Sequence, residues 1–167
     1  GSGSFNRRLL FLVAEGAKIK IEKYVVTGKY SQPEEFYSEF IRKNSTPLIK
    51  KGNFNKDDLE KGFANLISYL HNQGHLLAKL VSTRTQYNRT KDKITIYINL
   101  DEGPVTVVNS IDFEGNKAFS KEQLLELVDL KPGQPLRLFK LEEAIQNLKN
   151  FYYEKGFIEM ILLFEKK

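Results

Sequence analysis

Leu9, Phe11 and Val13 recur at period two within the short apolar run Leu9 to Ala14, and the run stops at Glu15-Gly16, the mark of a strand ending in a turn. The next apolar stretch, Ile19 to Val26, is rich in β-branched residues and finishes at Gly28, which predicts another strand. The spacing then becomes helical. Phe36, Tyr37, Phe40 and Ile41 follow Ser31 and Glu34, the two poles of a capping box, with Pro33 in the first turn, and Ser45-Thr46-Pro47 ends the helix early. A longer helix is expected from about Asn55, with Leu59, Phe63, Leu66 and Leu70 on one face and Gly74 as its stop. After it, His75 to Tyr87 reads as a strand with Leu76, Ala78, Leu80 and Ser82 on one side. Asn88 to Asp92 reads as a polar hairpin turn, and Lys93 to Leu100 as a strand that Asp101-Glu102-Gly103-Pro104 closes.

The same punctuation then returns. Gly16 and Gly103, like Gly28 and Gly115, lie 87 residues apart, and Gly74 and Gly156 lie 82 apart. Val105 to Phe113 repeats the strand after Glu-Gly, and Ser120 with Gln123 repeats the capping box before Leu124, Leu125 and Val128. Lys131-Pro132-Gly133 repeats the interruption, and a second long helix from about Lys140 carries Leu141, Ile145, Leu148 and Tyr152. One unit therefore runs strand, helix, helix, strand, strand. Two helices laid over one face of a three-stranded mixed sheet give an α+β fold, because a lone hairpin buries too little to stay folded. The expected division is 1–4 as a cloning scar, 5–15 as the last strand of a preceding unit, 16–102 as a complete unit and 103–167 as a second one lacking its final strand. In the complete copy 29 residues separate Gly74 from Gly103, whereas 11 follow Gly156, so Phe157 to Lys167 is read as a truncated copy of the second strand. Leu9 to Val13, a third strand by sequence, is then a candidate to fill the vacant place in the final unit of a neighbouring molecule, a strand-swapped self-association.

Composition narrows the chemistry. In 167 residues, 41% hydrophobic and 12% aromatic, there is apolar material for two small cores. The net charge of +5 comes from Lys and Arg scattered through both halves, which reads as a solvated surface rather than a phosphate-binding stripe. Cysteine is absent, which excludes disulfides, thiolate nucleophiles and Cys-ligated metals, and no apolar run approaches a membrane span. The histidines, His71 and His75, have metal-compatible spacing only on a continuous helix, and Gly74 interrupts it. Asp57-Asp58 and Glu142-Glu143 are expected in first helical turns, where carboxylates favour the positive end of the helix dipole. No phosphate loop, dinucleotide fingerprint or nucleophile elbow occurs. The reading is of a non-enzyme with no catalytic residues, metal or cofactor.

Three segments carry a family likeness: Ile111 to Ser120 (IDFEGNKAFS), Leu130 to Pro135 (LKPGQP) and Phe151 to Phe157 (FYYEKGF). Together they resemble the POTRA domain, the polypeptide-transport-associated module of outer-membrane assembly proteins such as the BamA family, with its first-strand F-x-G-N, its K-P-G loop and its Y-x-x-x-G-Y helix end. The earlier unit is a looser copy, with Val26 to Lys29, Lys50 to Asn53 and Tyr69 to His75 in the corresponding places.

The resemblance implies a periplasmic portion of an outer-membrane protein that assists insertion of β-barrel proteins. It implies as partners unfolded outer-membrane polypeptides, accessory lipoproteins of an assembly complex and the protein's own C-terminal β-barrel. It places substrate on the edge of the second strand, here His75, Leu77, Lys79, Val81, Thr83, Thr85 and Tyr87, where an extended guest pairs with free backbone groups. The short junctions Gly16 and Glu102-Gly103-Pro104 are expected to act as limited hinges of a semi-rigid arm. A two-partner secretion or translocation-assembly transporter is an alternative within the family. A basic RNA-binding array is the alternative from another class. It lacks the aromatic cluster such sheets carry on a central strand, since Tyr97 is the only aromatic between Lys93 and Leu100.

Overall fold

The computed structural model describes residues 2–16, 18–157 and 159. Its sheet contains β1 (Lys20–Lys29), β2 (Lys79–Tyr87) and β3 (Lys93–Asp101) in the order β1-β3-β2, with β1 parallel and β2 antiparallel to the central β3. Helices α1 (Glu34–Lys43), α2 (Pro47–Lys50) and α3 (Lys56–Asn72) cover one face. The alternation of β3 decides which face: Ile94, Ile96, Ile98 and Leu100 are all buried, and the last three join Tyr37, Ile41, Leu59, Phe63, Leu66 and Leu70 in one core. Each such apolar side chain contributes about 2 kcal/mol when removed from water. The helical stripe read from the sequence is therefore the stripe that packs. Gly28 lets β1 lie against β3, because at φ +110° a Cβ there would stand 2.1 Å from the Leu100 carbonyl oxygen.

Several expectations change. Leu9 to Val13 forms no strand and lies exposed, and no backbone pairs with it among the described residues. The capping box of Ser31 is not made. Pro33 occupies the N-cap position of α1 with no side-chain cap bond, and the Ser31 hydroxyl donates instead to Glu102. The strand predicted from His75 begins at Lys79, and a bulge between Leu80 and Ser82 shifts the register, so Ser82 leaves the core side and is exposed. The turn at 88–92 is as expected: the Asn88 side-chain oxygen accepts from the amides of Asp92 and Lys93.

The second repeat forms α4 (Lys121–Leu125), with the Ser120/Gln123 capping box in place, and α5 (Leu138–Glu154). Helix α5 starts two residues before Lys140, which removes Glu142 and Glu143 from its first turn, and Glu143 pairs with Lys140 instead. Offsets found in the sequence recur in the structure. The bridge Lys20↔Asn53 returns as Val107↔Pro135, and the bond from the Ile21 amide to the Gly52 carbonyl returns as Val108 to Gln134. Yet the strand expected over Val105 to Phe113 is not formed beyond that bridge. In the first repeat β1 runs its whole length along β3, and the described residues contain no counterpart of β3 for the second repeat. The strand read over Phe157 to Lys167 falls almost wholly outside the described residues. Phe157 itself packs with Phe119 and Tyr152, ring centroids 6.0 and 5.3 Å away.

Candidate functional site

The two edges of the sheet differ. The outer side of β1 is partly occupied, because Ile21 donates to the Gly52 carbonyl and Phe54 donates to that of Ile19. Along β2, by contrast, every residue from Val81 to Tyr87 is exposed, and none of the backbone bonds outside the sheet ladder among the described residues involves 79–87. A strand exposed on both faces with one unpaired edge is a template for another chain. Of the seven edge residues read from the sequence, Lys79, Val81, Thr83, Thr85 and Tyr87 lie on β2. His75 and Leu77 sit in the preceding turn and belong to no ladder.

The turn before β2 meets the boundary between repeats. Glu102 is 4% exposed, and its carboxylate accepts from the Ser31 hydroxyl at 2.5 Å and from the Tyr37 hydroxyl, with His75 Nε2 at 3.7 Å. Burial, and then the bond to this carboxylate, push the Tyr37 hydroxyl pKa above its ordinary value. The Glu102 amide also donates to the Lys29 carbonyl. One step on, the Gly103 carbonyl can only accept, so His75 Nδ1 at 2.9 Å carries the proton in that contact. His71 likewise donates from Nε2 to the Ala78 carbonyl at 3.0 Å, so the two imidazoles serve separate backbone turns. No group of three or more metal-ligating side chains lies together among the described residues.

Beyond Gly103 the repeats are tied by α3. Arg137 at the N-cap position of α5 supplies no side-chain cap, and the Asn72 side-chain oxygen, from the last turn of α3, accepts from the Phe139 amide at 2.9 Å. Arg137 returns a bond from Nε to the Asn72 carbonyl at 3.3 Å, and Thr106 donates its amide to Gly74 at 2.8 Å. Gly74, at φ +95°, is closed over by the second repeat: a Cβ there would lie 2.9 Å from Pro135 Cβ and 3.0 Å from Val105 Cγ1. Of the expected hinge residues, Glu102 is thus pinned and Gly103 and Pro104 lie between pinned neighbours. Gly16 has nothing within 4 Å of where its Cβ would be. Asn72 was invisible as a cap in the sequence. The only trace was negative: Arg137 stands where the first repeat has Asn55, whose side chain caps α3 by accepting from Asp58.

The family model for POTRA, described as a surface antigen variable number repeat, matches residues 19–103 and again 106–162. The chain belongs to the POTRA family. Among curated relatives it is similar to a putative outer membrane protein assembly factor of Treponema pallidum, 24% identical over 88% of this chain and 18% of that protein. It is also similar to the outer membrane protein assembly factor BamA of Nitratidesulfovibrio vulgaris, 26% identical over 93% of this chain and 20% of that protein. This POTRA chain thus spans about a fifth of the length of these relatives. Among solved structures it resembles BamA of Haemophilus ducreyi lacking POTRA domains 1–3, with a TM-score of 0.58 and 20% identity over 78% of this chain and 24% of that one. It likewise resembles POTRA3-5 of Haemophilus influenzae BamA, with a TM-score of 0.53 and 14% identity over 86% and 52% of the two chains. These likenesses show the mixed α+β fold with its open three-stranded sheet. No helix among the described residues is long and apolar enough to cross a membrane.

Proposed function

We propose that this POTRA chain is a non-catalytic, periplasmic segment of an outer-membrane assembly protein that receives extended polypeptide by adding a strand to the β2 edge. The observation that carries the reading is the β2 edge itself: both faces exposed from Val81 onward and no partner on its outer side among the described residues. Backbone pairing needs no particular guest sequence, which suits a factor that handles many unfolded β-barrel polypeptides. Lys79 and Arg84 keep the edge soluble between encounters. His75 and Leu77, ahead of the strand, would meet the end of a guest, while Gly103 and Pro104 allow limited bending of an otherwise coupled arm. The relatives named as assembly factors support this class of function, and accessory lipoproteins and a C-terminal β-barrel are the further partners proposed.

The test is an amide-shift titration with a synthetic strand from an outer-membrane β-barrel protein. Progressive shifts are expected along residues 79–87 and in β3 opposite them. Shifts confined to α1 and α3, or centred on β1, would defeat the edge assignment.

A further inference from the structure

Charges that are scattered along the sequence are sorted by the fold. The three strands carry six basic residues, Lys20, Lys23, Lys29, Lys79, Arg84 and Lys93, against two acidic ones, Glu22 and Asp101. Helices α1, α2 and α3, which cover the other side, carry five basic residues against six acidic ones. The strand registers place the uncovered face as rows of three. Lys23 aligns with Thr95 and Gln86, Val25 with Tyr97 and Arg84, Thr27 with Asn99 and Ser82, and Lys29 with Asp101 and Lys79. Four cations thus stand at the margins of this face and one carboxylate inside it. Among the described residues none of Lys23, Lys29, Lys79 and Arg84 forms an ion pair, while Lys43, Lys61, Lys121 and Lys140 elsewhere do.

From this sorting we propose that the open face of the sheet rests on an anionic membrane surface. The cations spread over about 20 Å along the strands and about 10 Å across them, so they match a two-dimensional field of negative headgroups. An acidic peptide would meet only one line of them. Single-stranded nucleic acid is disfavoured by Tyr97, the one aromatic on the face, because the Arg84 guanidinium already covers its ring at 3.9 Å and leaves no free platform for a base. The assignment does not depend on the β2 edge reading, since Lys23 and Lys29 are on β1, at the opposite edge of the sheet.

The experiment is co-sedimentation of the full chain with vesicles of phosphatidylglycerol and phosphatidylcholine, compared with phosphatidylcholine alone, at 0.1 M and 0.5 M salt. Two charge-reversal pairs, Lys23→Glu with Lys29→Glu and Lys79→Glu with Arg84→Glu, are set against a matched pair on the helical side, Lys50→Glu with Lys51→Glu. Circular dichroism checks that each remains folded. The exposed segment from Phe5 to Val13, with Arg7 and Arg8, is common to all of them and cancels. Salt-sensitive binding to the anionic vesicles is expected, weakened about 25-fold or more by either sheet pair and little changed by the helical pair. Equal loss in all three pairs, no loss in the sheet pairs, or equal binding to neutral vesicles overturns the proposal. So does binding of soluble polyglutamate or single-stranded RNA, through the same residues, in preference to the vesicles. The Lys23/Lys29 pair retains the strand-peptide shifts along 79–87, so failure of one reading is distinguishable from failure of the other.

Discussion

Tyr24 carries the one buried side-chain polar atom among the described residues that finds no hydrogen-bond partner. Its ring packs against the core from β1, and burial pushes the hydroxyl pKa up to about 12, the Arg42 guanidinium working against that rise and the Glu39 carboxylate adding to it. An unfolded tyrosine ionises near pH 10. Between about pH 10 and 12 the unfolded chain therefore sheds a proton that the folded chain keeps, and stability falls as pH rises through that window, having been fully present below it. Tyr24→Phe removes both the titration and the unsatisfied group. Urea unfolding is expected to show it equal to the parent, or up to about 1 kcal/mol more stable, at pH 7. Between pH 10 and 12 it is expected to lose less than the parent, with the raised Tyr37 and Tyr30 leaving a residual decline. Parallel decline of the two proteins refutes the assignment.

Among the elements, what the sequence disclosed was whatever is local. Helices α3 and α5 have the same length at an offset of 82 residues and could be read from their stripes, because a helix bonds within itself and its apolar face is written in consecutive turns. Strand limits were read less well, since a bulge at Val81 and the missing ladder over Val105 to Phe113 depend on a partner far away in the chain. Ser31 misled for the same reason: its spacing to Glu34 is that of a capping box, but a buried carboxylate 71 residues on competes for its hydroxyl. The β2 edge was legible in outline, whereas the basic face was not, because charges collect there only once three strands are aligned. The Asn72 cap tests this view of elements that depend on distant partners. Asn72→Ala is expected to cost about 1 kcal/mol and to speed amide exchange at Phe139 and Lys140, at the start of α5, in the other repeat. Asn55→Ala should disturb only Asp58 and its neighbours in α3. Exchange at Phe139 unaltered by Asn72→Ala shows that α5 holds its first turn without help from α3.

Across the whole molecule, order is distributed according to which backbone groups find partners. The centre of β3 is bonded on both sides and covered by buried side chains from α1 and α3, so its opening requires the first repeat to unfold. In the second repeat the described core is smaller: Leu124, Leu136, Ala144 and Leu148 are buried, and the Phe119 ring meets those of Phe151 and Tyr152. Among the described residues, the stretch 105–110 donates two backbone amide bonds: Thr106 to Gly74 and Val108 to Gln134. Native-state hydrogen exchange should therefore give a graded pattern. Ile96 and Ile98 exchange slowest, Thr106 and Val108 are intermediate, and Val107, Asn109 and Ser110 between and beyond them are fast. Because the Thr106 bond crosses the boundary while the Val108 bond stays inside the second repeat, a mild denaturant separates two cases. If the joint at Gly74 holds until the second repeat opens, Thr106 and Val108 lose protection together, well before Ile96. If Thr106 opens first while Val108 persists, the joint at Gly74 is looser than its bonds imply, and the coupled-arm reading fails with it.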